Sequence, residues 1–188
     1  MIRAHDAQLD RSPGAIEAVP LELLSDPLAF LFAEHYRHRQ LCRAIDGLAA
    51  STFFDAARIG EVVDFLRYEA PVHIIDEEED LFPLMRRRCL PEDDIEAVLG
   101  VLSAEHRAGE ALARTVRDHL EACLAARHAP GAQMGRRRDL SAFSSQERAH
   151  LALEFAQMQA VLRRAAVARR QPGCQARLRQ RIAPGSRF

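Results

Sequence analysis

One arrangement of side chains occurs twice along this chain: a lone histidine, then a histidine followed four residues on by a glutamate. It runs His35, then His73-Ile-Ile-Asp-Glu77, and again His106, then His150-Leu-Ala-Leu-Glu154. On an α-helix, residues four apart lie about 6 Å along the axis and about 40° round it, so each histidine–glutamate pair can address one point. Imidazole and carboxylate together suit a borderline or hard transition metal better than a thiolate-loving one. The lone histidines repeat their surroundings too, Leu31-Phe-Ala-Glu-His35 being echoed by Leu102-Ser-Ala-Glu-His106. A duplication that keeps its metal-type residues implies a two-fold-like site built between helices.

The rest of the chain reads as the helices such a site needs. Asp26-Pro27 predicts a cap and first turn, followed by Leu28, Leu31, His35, His38, Cys42 and Ile45 at three- and four-residue steps to about Ala50. A second helix is expected from Asp55 to Arg88, with Ile59, Val62, Val63, Leu66, Ala70, His73, Glu77, Leu81 and Leu84 inward. Pro71 predicts a kink just before His73, and Pro83 a distorted final turn. A third helix opens at Pro91-Glu-Asp-Asp94 and turns Ile95, Val98, Leu99, Leu102, His106, Ala113, Val116, Leu120 and Leu124 inward. After a polar loop from Arg127, a fourth starts near Asp139 or at Ser144-Ser-Gln-Glu147, which has the form of a capping box. Its inward residues are Phe143, His150, Leu153 or Glu154, Met158 and Leu162, and it ends before Gln171-Pro172. The expected fold is all-α, an up-down-up-down four-helix bundle over residues 26–170. Residues 1–25 form an N-terminal extension and 171–188 a basic tail.

Length bounds the chain to one domain, since 188 residues build one good core and would make two cramped ones. No apolar run approaches the 18 or so residues of a membrane span, and the first residues lack an apolar signal segment, so a cytoplasmic protein is expected. Cys42, Cys89, Cys123 and Cys174 form no Cys-x-x-Cys unit, which speaks against a zinc ribbon or a small disulfide scaffold and favours buried thiols. The formal net charge of −1 divides into +8 from the arginines after Glu154, where no acid occurs, and −9 over residues 1–154. Such a tail could touch nucleic acid or anionic lipid, but its Pro-Gly pairs and sparse aromatics favour a solvated end.

Histidine on an apolar stripe is costly unless its ring is paired, and four helices each carry one. Ligation to a metal offsets that cost. Six ligands exceed what one tetrahedral zinc needs and fall short of two separate octahedral ions, so a bridged pair is the economical arrangement. Glu77 and Glu154 are the expected bridges, with an imidazole pair on each ion.

The segment His73-Ile-Ile-Asp-Glu77-Glu-Glu-Asp-Leu-Phe-Pro83 resembles the second-helix signature of the haemerythrin-like, or HHE cation-binding, domains. The complete order H, HxxxE, H, HxxxE is similar to that family's across residues 28–162, with steps of 38, 33 and 44 residues between successive histidines. The resemblance implies a four-helix bundle holding two non-haem iron ions, bridged by oxo, hydroxo or carboxylate oxygen. Carried over position by position, the metal ligands are His35, His73, Glu77, His106, His150 and Glu154. Haemerythrin proper has a second histidine four residues after the first in its third helix, and here Glu110 stands in that slot, either completing one ion's shell or bonding a ligand imidazole. The Leu-Phe-Pro that follows Glu77 has no counterpart after Glu154.

His38 is expected beside the site rather than on a metal, and Glu69 in solvent. Asp76 to Asp80 should be an exposed acidic face with only Glu77 inward. His5, His119 and His128 have no patterned partners. The function these readings favour is binding of oxygen, peroxide or nitric oxide at the di-iron site, in sensing, stress defence or iron handling. No general acid or nucleophile is visible, so no enzyme class is assigned. One alternative is a regulatory or interaction module with a structural zinc or single metal, its arginine tail on an acidic partner. Another is a bundle with no metal. The expected partner is a small diatomic ligand or peroxide, with a homodimer left open, and neither membrane nor nucleic acid.

Overall fold

A computed structural model describes residues 14–170, most of which lie in four long helices and none in a strand. The first helix spans Pro27–Ala50, and Asp26 caps it by accepting from the Ala29 N–H. The second is one rod over 56–88, opened by Asp55 accepting from the Arg58 N–H at 2.9 Å. The third is Ile95–Ala126 and the fourth Met134–Arg170. The helices pack in a ring, first on second, second on third, third on fourth and fourth on first. None of the described helices is long and apolar enough to cross a membrane.

Neither proline breaks the second rod. Each follows a wide, π-helical turn, Phe65–Glu69 before Pro71 and Asp76–Leu81 before Pro83. The Ala70 N–H reaches back to Phe65 O and the Phe82 N–H to Glu77 O, one residue further than in an α-helix. Widening the turn moves the carbonyl that the pyrrolidine ring would strike, and an inserted residue rotates everything after it. That rotation corrects the expected inward set. Beyond the second wide turn Phe82 and Met85 are buried, each one residue later than the predicted Leu81 and Leu84, which are half-buried.

The other corrections have similar local causes. The acids Glu92 and Asp93 belong to a separate turn, Pro91–Asp93, in which Asp93 accepts from the Leu90 N–H, and the third helix starts only at Ile95. Along that helix Cys123 is buried in the core and Leu124 is half-buried. The fourth helix begins at Met134, ahead of both expected starts. The apparent capping box is interior to it, because Ser144 Oγ bonds Asp46 on the first helix and Glu147 reaches His38. Cys42 and Cys123 are buried free thiols and Cys89 is half-buried; burial foremost, then the nearby Glu147, pushes the Cys42 thiol up to about 12. The expectations for residues 1–13 with His5, for the 171–188 tail with Cys174, for the helix end at Gln171, and for the side chains of Leu28 and Leu162 lie outside the described residues.

Residues 14–25 are tied onto the bundle. The Ile16 N–H donates to Glu61, the Glu17 N–H to Gln40, and Arg37 donates to Glu17 O. At the opposite end of the first helix the Pro130–Ala132 turn closes against its last carbonyls. A Cβ on Gly131 would lie 2.5 Å from Ser51 O and 2.6 Å from Ala49 O, so only hydrogen fits. Gly131→Ala should therefore cost about 1–3 kcal/mol as overpacking against rigid backbone, a melting point lower by roughly 2–12 °C, read by thermal unfolding.

Two apolar layers leave a gap between them. Leu41, Ile45, Ile59, Val62, Phe65, Leu120, Leu140 and Phe143 form the larger core, and Phe82, Met85, Leu99 and Leu102 the smaller. On the second and third helices the metal-type residues fall between these layers.

Candidate metal centre

The structure brings all six predicted residues to one place. His35, His73, Glu77, His106, His150 and Glu154 are each buried, Glu77 at 0% and Glu154 at 2% exposure. They form two overlapping groups, His35, His73, Glu77 and Glu154 in one and Glu77, His106, His150 and Glu154 in the other, each with its ligand atoms within 4.8 Å of one another. Both carboxylates belong to both groups, and their oxygens divide between them. Glu77 turns Oε1 toward His35 Nε2 at 3.0 Å and His73 Nε2 at 3.3 Å, and Oε2 toward His106 Nε2 at 3.2 Å. Glu154 turns Oε2 toward His35 Nε2 at 3.4 Å, and Oε1 toward His106 Nε2 at 3.4 Å and His150 Nε2 at 3.1 Å.

Several of these atoms have no hydrogen-bond partner: His73 Nε2, His106 Nε2, Glu77 Oε2 and both oxygens of Glu154. Buried, unpaired carboxylates are expensive, and buried polar groups are normally satisfied. Carboxylate oxygens and imidazole nitrogens whose lone pairs converge on one spot without a partner are what a cation would satisfy, so the residues fit a metal.

Electrostatics divide the histidines. Burial opposes protonation of His73, His106 and His150. Even so, the nearby carboxylates of Glu154, Glu77 and Glu78 lift His106 to about 10, and those of Glu154 and Glu105 lift His150 to about 9. Burial dominates at His73 and, with His38 and His35 nearby, holds it well below the usual imidazole range. Glu154 sits far below the ordinary carboxylate range: burial would raise it, but the imidazoles of His106 and His150 beside it outweigh that. Metal-free, the centre thus keeps protons on His106 and His150 to balance its carboxylates.

Around these six lie residues the sequence did not mark. Glu78 accepts at 2.9 Å from His106 Nδ1 and Glu105 at 2.9 Å from His150 Nδ1, while Glu147 meets His38 Nδ1 at 2.6 Å. Such carboxylates fix the tautomer and tilt of a ligating ring. A signal for Glu105 was present in the Ala-Glu-His repeat; nothing in the sequence distinguished Glu78 from its acidic neighbours. Within Asp76 to Asp80, then, Glu78 does more than face solvent.

His38 is buried and stands against the ring of His73, centroids 4.3 Å apart, outside the six-residue set. With Glu34 and His73 it forms a further close group. Glu69 points away, bonded to Arg37. Glu110 is exposed and joins neither four-residue group. His119 faces Asp139 and His128 bonds Arg136, both remote from the centre.

A cavity of ≈ 190 Å³ reaches the centre between the second, third and fourth helices. His73, His106 and His150 form its inner wall, Leu66 and Phe143 line its flank, and the exposed Glu110 and Arg114 mark its rim. Cavities of about 150 Å³ admit benzene, so a two-atom molecule has ample room.

Among known protein families, residues 26–164 match the Hemerythrin HHE cation binding domain. Curated proteins and solved structures yield no match. Histidine and glutamate groups of the kind that hold a cation, on an all-helical scaffold and within a match spanning most of the chain, place this protein in the hemerythrin HHE cation-binding domain family.

Proposed function

We propose that the up-down-up-down bundle over residues 26–170 holds two iron ions, with His35 and His73 on one, His106 and His150 on the other, and Glu77 and Glu154 shared. The observation that carries this reading is the division of both carboxylates, one oxygen toward each imidazole pair. A single tetrahedral ion needs four ligands and would leave buried groups unsatisfied; six inward groups in two overlapping sets suit a pair. Bound iron supplies redox chemistry and an open coordination position for oxygen, peroxide or nitric oxide.

The chain's own part is to hold and shelter. Apolar layers above and below the centre keep bulk water out, and Glu78 and Glu105 fix two of the rings. The cavity opens toward the centre between the second, third and fourth helices. Protein purified in air should contain two irons per chain and show the near-ultraviolet band of a bridged ferric pair. One colourless zinc per chain would overturn this reading.

Access through the cavity can be tested without touching a ligand. A Cβ on Gly109 would meet only Gln146 Nε2, at 3.8 Å, so a larger side chain is tolerated there and projects into the opening. Gly109→Leu should leave metal content intact and slow nitric oxide binding severalfold in stopped flow, while Gly109→Ala should bind at the wild-type rate.

A further inference from the structure

The internal duplication allows the two halves of the centre to be matched residue by residue. Leu31-Phe-Ala-Glu-His35 pairs with Leu102-Ser-Ala-Glu-His106, and His73 with Glu77 pairs with His150 and Glu154. Glu34 then corresponds to Glu105, Phe32 to Ser103, Arg37 to Ala108 and Phe155 to Glu78.

The contacts follow this correspondence, but with different chemistry. In one half Glu78 lies beside Ser103 and holds His106 Nδ1 at 2.9 Å; these two partners keep its carboxyl below the usual range. In the other half the matching pair is Phe32 and Phe155, whose rings meet edge-on with centroids 5.8 Å apart. A phenyl ring accepts no proton from imidazole, and His35 Nδ1 is buried without a partner. Likewise Glu105 holds His150 Nδ1 at 2.9 Å, whereas Glu34, although within 4.8 Å of His73, bonds Arg37 Nη1 at 3.0 Å and His73 Nδ1 makes no hydrogen bond. Equivalent backbone positions thus supply two anchoring carboxylates to one imidazole pair and none to the other.

We propose that the centre is graded, with a tightly held cation on the His106/His150 half and a readily exchanged one on the His35/His73 half. Glu78 and Glu105 are its positioning residues, present on one side only. This rests on the two-cation reading above. A carboxylate on the far ring nitrogen fixes the tautomer and raises ligand basicity, and losing one costs about 10–100-fold in metal affinity. A protein retaining one cation while exchanging the other responds to free metal over the range of its weaker half.

Cobalt(II), which is coloured and spares the protein iron's redox chemistry, is a suitable probe. The full chain loaded with two cobalt ions and mixed with excess EDTA should release them in two phases, with rates at least about tenfold apart. Phe155→Glu, placing a carboxylate where Glu78 has its counterpart, should slow the fast phase and leave the slow one unchanged. Glu78→Ala should accelerate only the slow phase. Both positions tolerate change, being 38% and 39% exposed. Release of both ions in a single phase, or two phases that neither variant moves, would overturn the graded centre. Uptake of one cobalt ion would overturn the two-cation reading itself, and the inference with it.

Discussion

Glu154→Ala protein should be isolated without either ion, whereas His35→Ala should keep the ion of the His106/His150 half. The difference follows from sharing. Glu154 sends one oxygen to each imidazole pair, so its loss removes a ligand from both ions and a charge from the space between them. His35 serves one group only. The fold should feel the loss too. His106 and His150 hold their protons largely through Glu154, and breaking such a buried charged network by removing one partner costs about 3–5 kcal/mol. Elemental analysis alongside circular dichroism separates emptied from unfolded protein. A Glu154→Ala variant that carries wild-type metal would refute the shared-carboxylate site.

Stripping the metal at neutral pH should lower the melting temperature by roughly 8–16 °C. Free metal at about a thousand times its dissociation constant stabilises by about 4 kcal/mol, and each kcal/mol moves a domain of this size by about 2–4 °C. The stripped protein should then show a pH dependence that the loaded protein lacks. In it, His106 and His150 titrate near 10 and 9, above an unfolded value of about 6.5. Between these limits the folded chain binds more protons than the unfolded one, so stability is full below about pH 6.5 and declines as pH rises toward 9–10. Metal replaces those protons, so loading near pH 7 should release acid and tighten as pH rises. Melting curves from pH 6 to 10 with and without chelator test both claims. A stripped protein that grows more stable across that range would contradict them.

The candidate site is almost fully legible in the residue order. His35, His73, Glu77, His106, His150 and Glu154 sit on amphipathic stripes at helical spacing, and helical spacing translates directly into a shared face. Local caps were legible for a similar reason: Asp26 and Asp55 act on the N–H groups three residues ahead. Where local signals competed with distant partners, they misled. Ser144 and Glu147 have the spacing of a helix cap, yet their side chains serve Asp46 and His38 on another helix. Phe82 and Met85 were missed because a wide turn shifts the helical phase, and phase is not written in any single residue.

That the chain would fold as amphipathic helices and gather imidazole and carboxylate in their midst was thus implicit in residue order alone. Periodicity and duplication are one-dimensional properties, and burial of an apolar stripe follows from them. Which carboxylate oxygen faces which imidazole, and that Glu78 and Glu105 anchor one pair of rings while Phe155 and Arg37 deprive the other, emerged only once the helices were packed. Those relations span tens of residues along the chain. They depend on how neighbouring helices are rotated against each other, and side-chain packing sets that rotation where no local preference can.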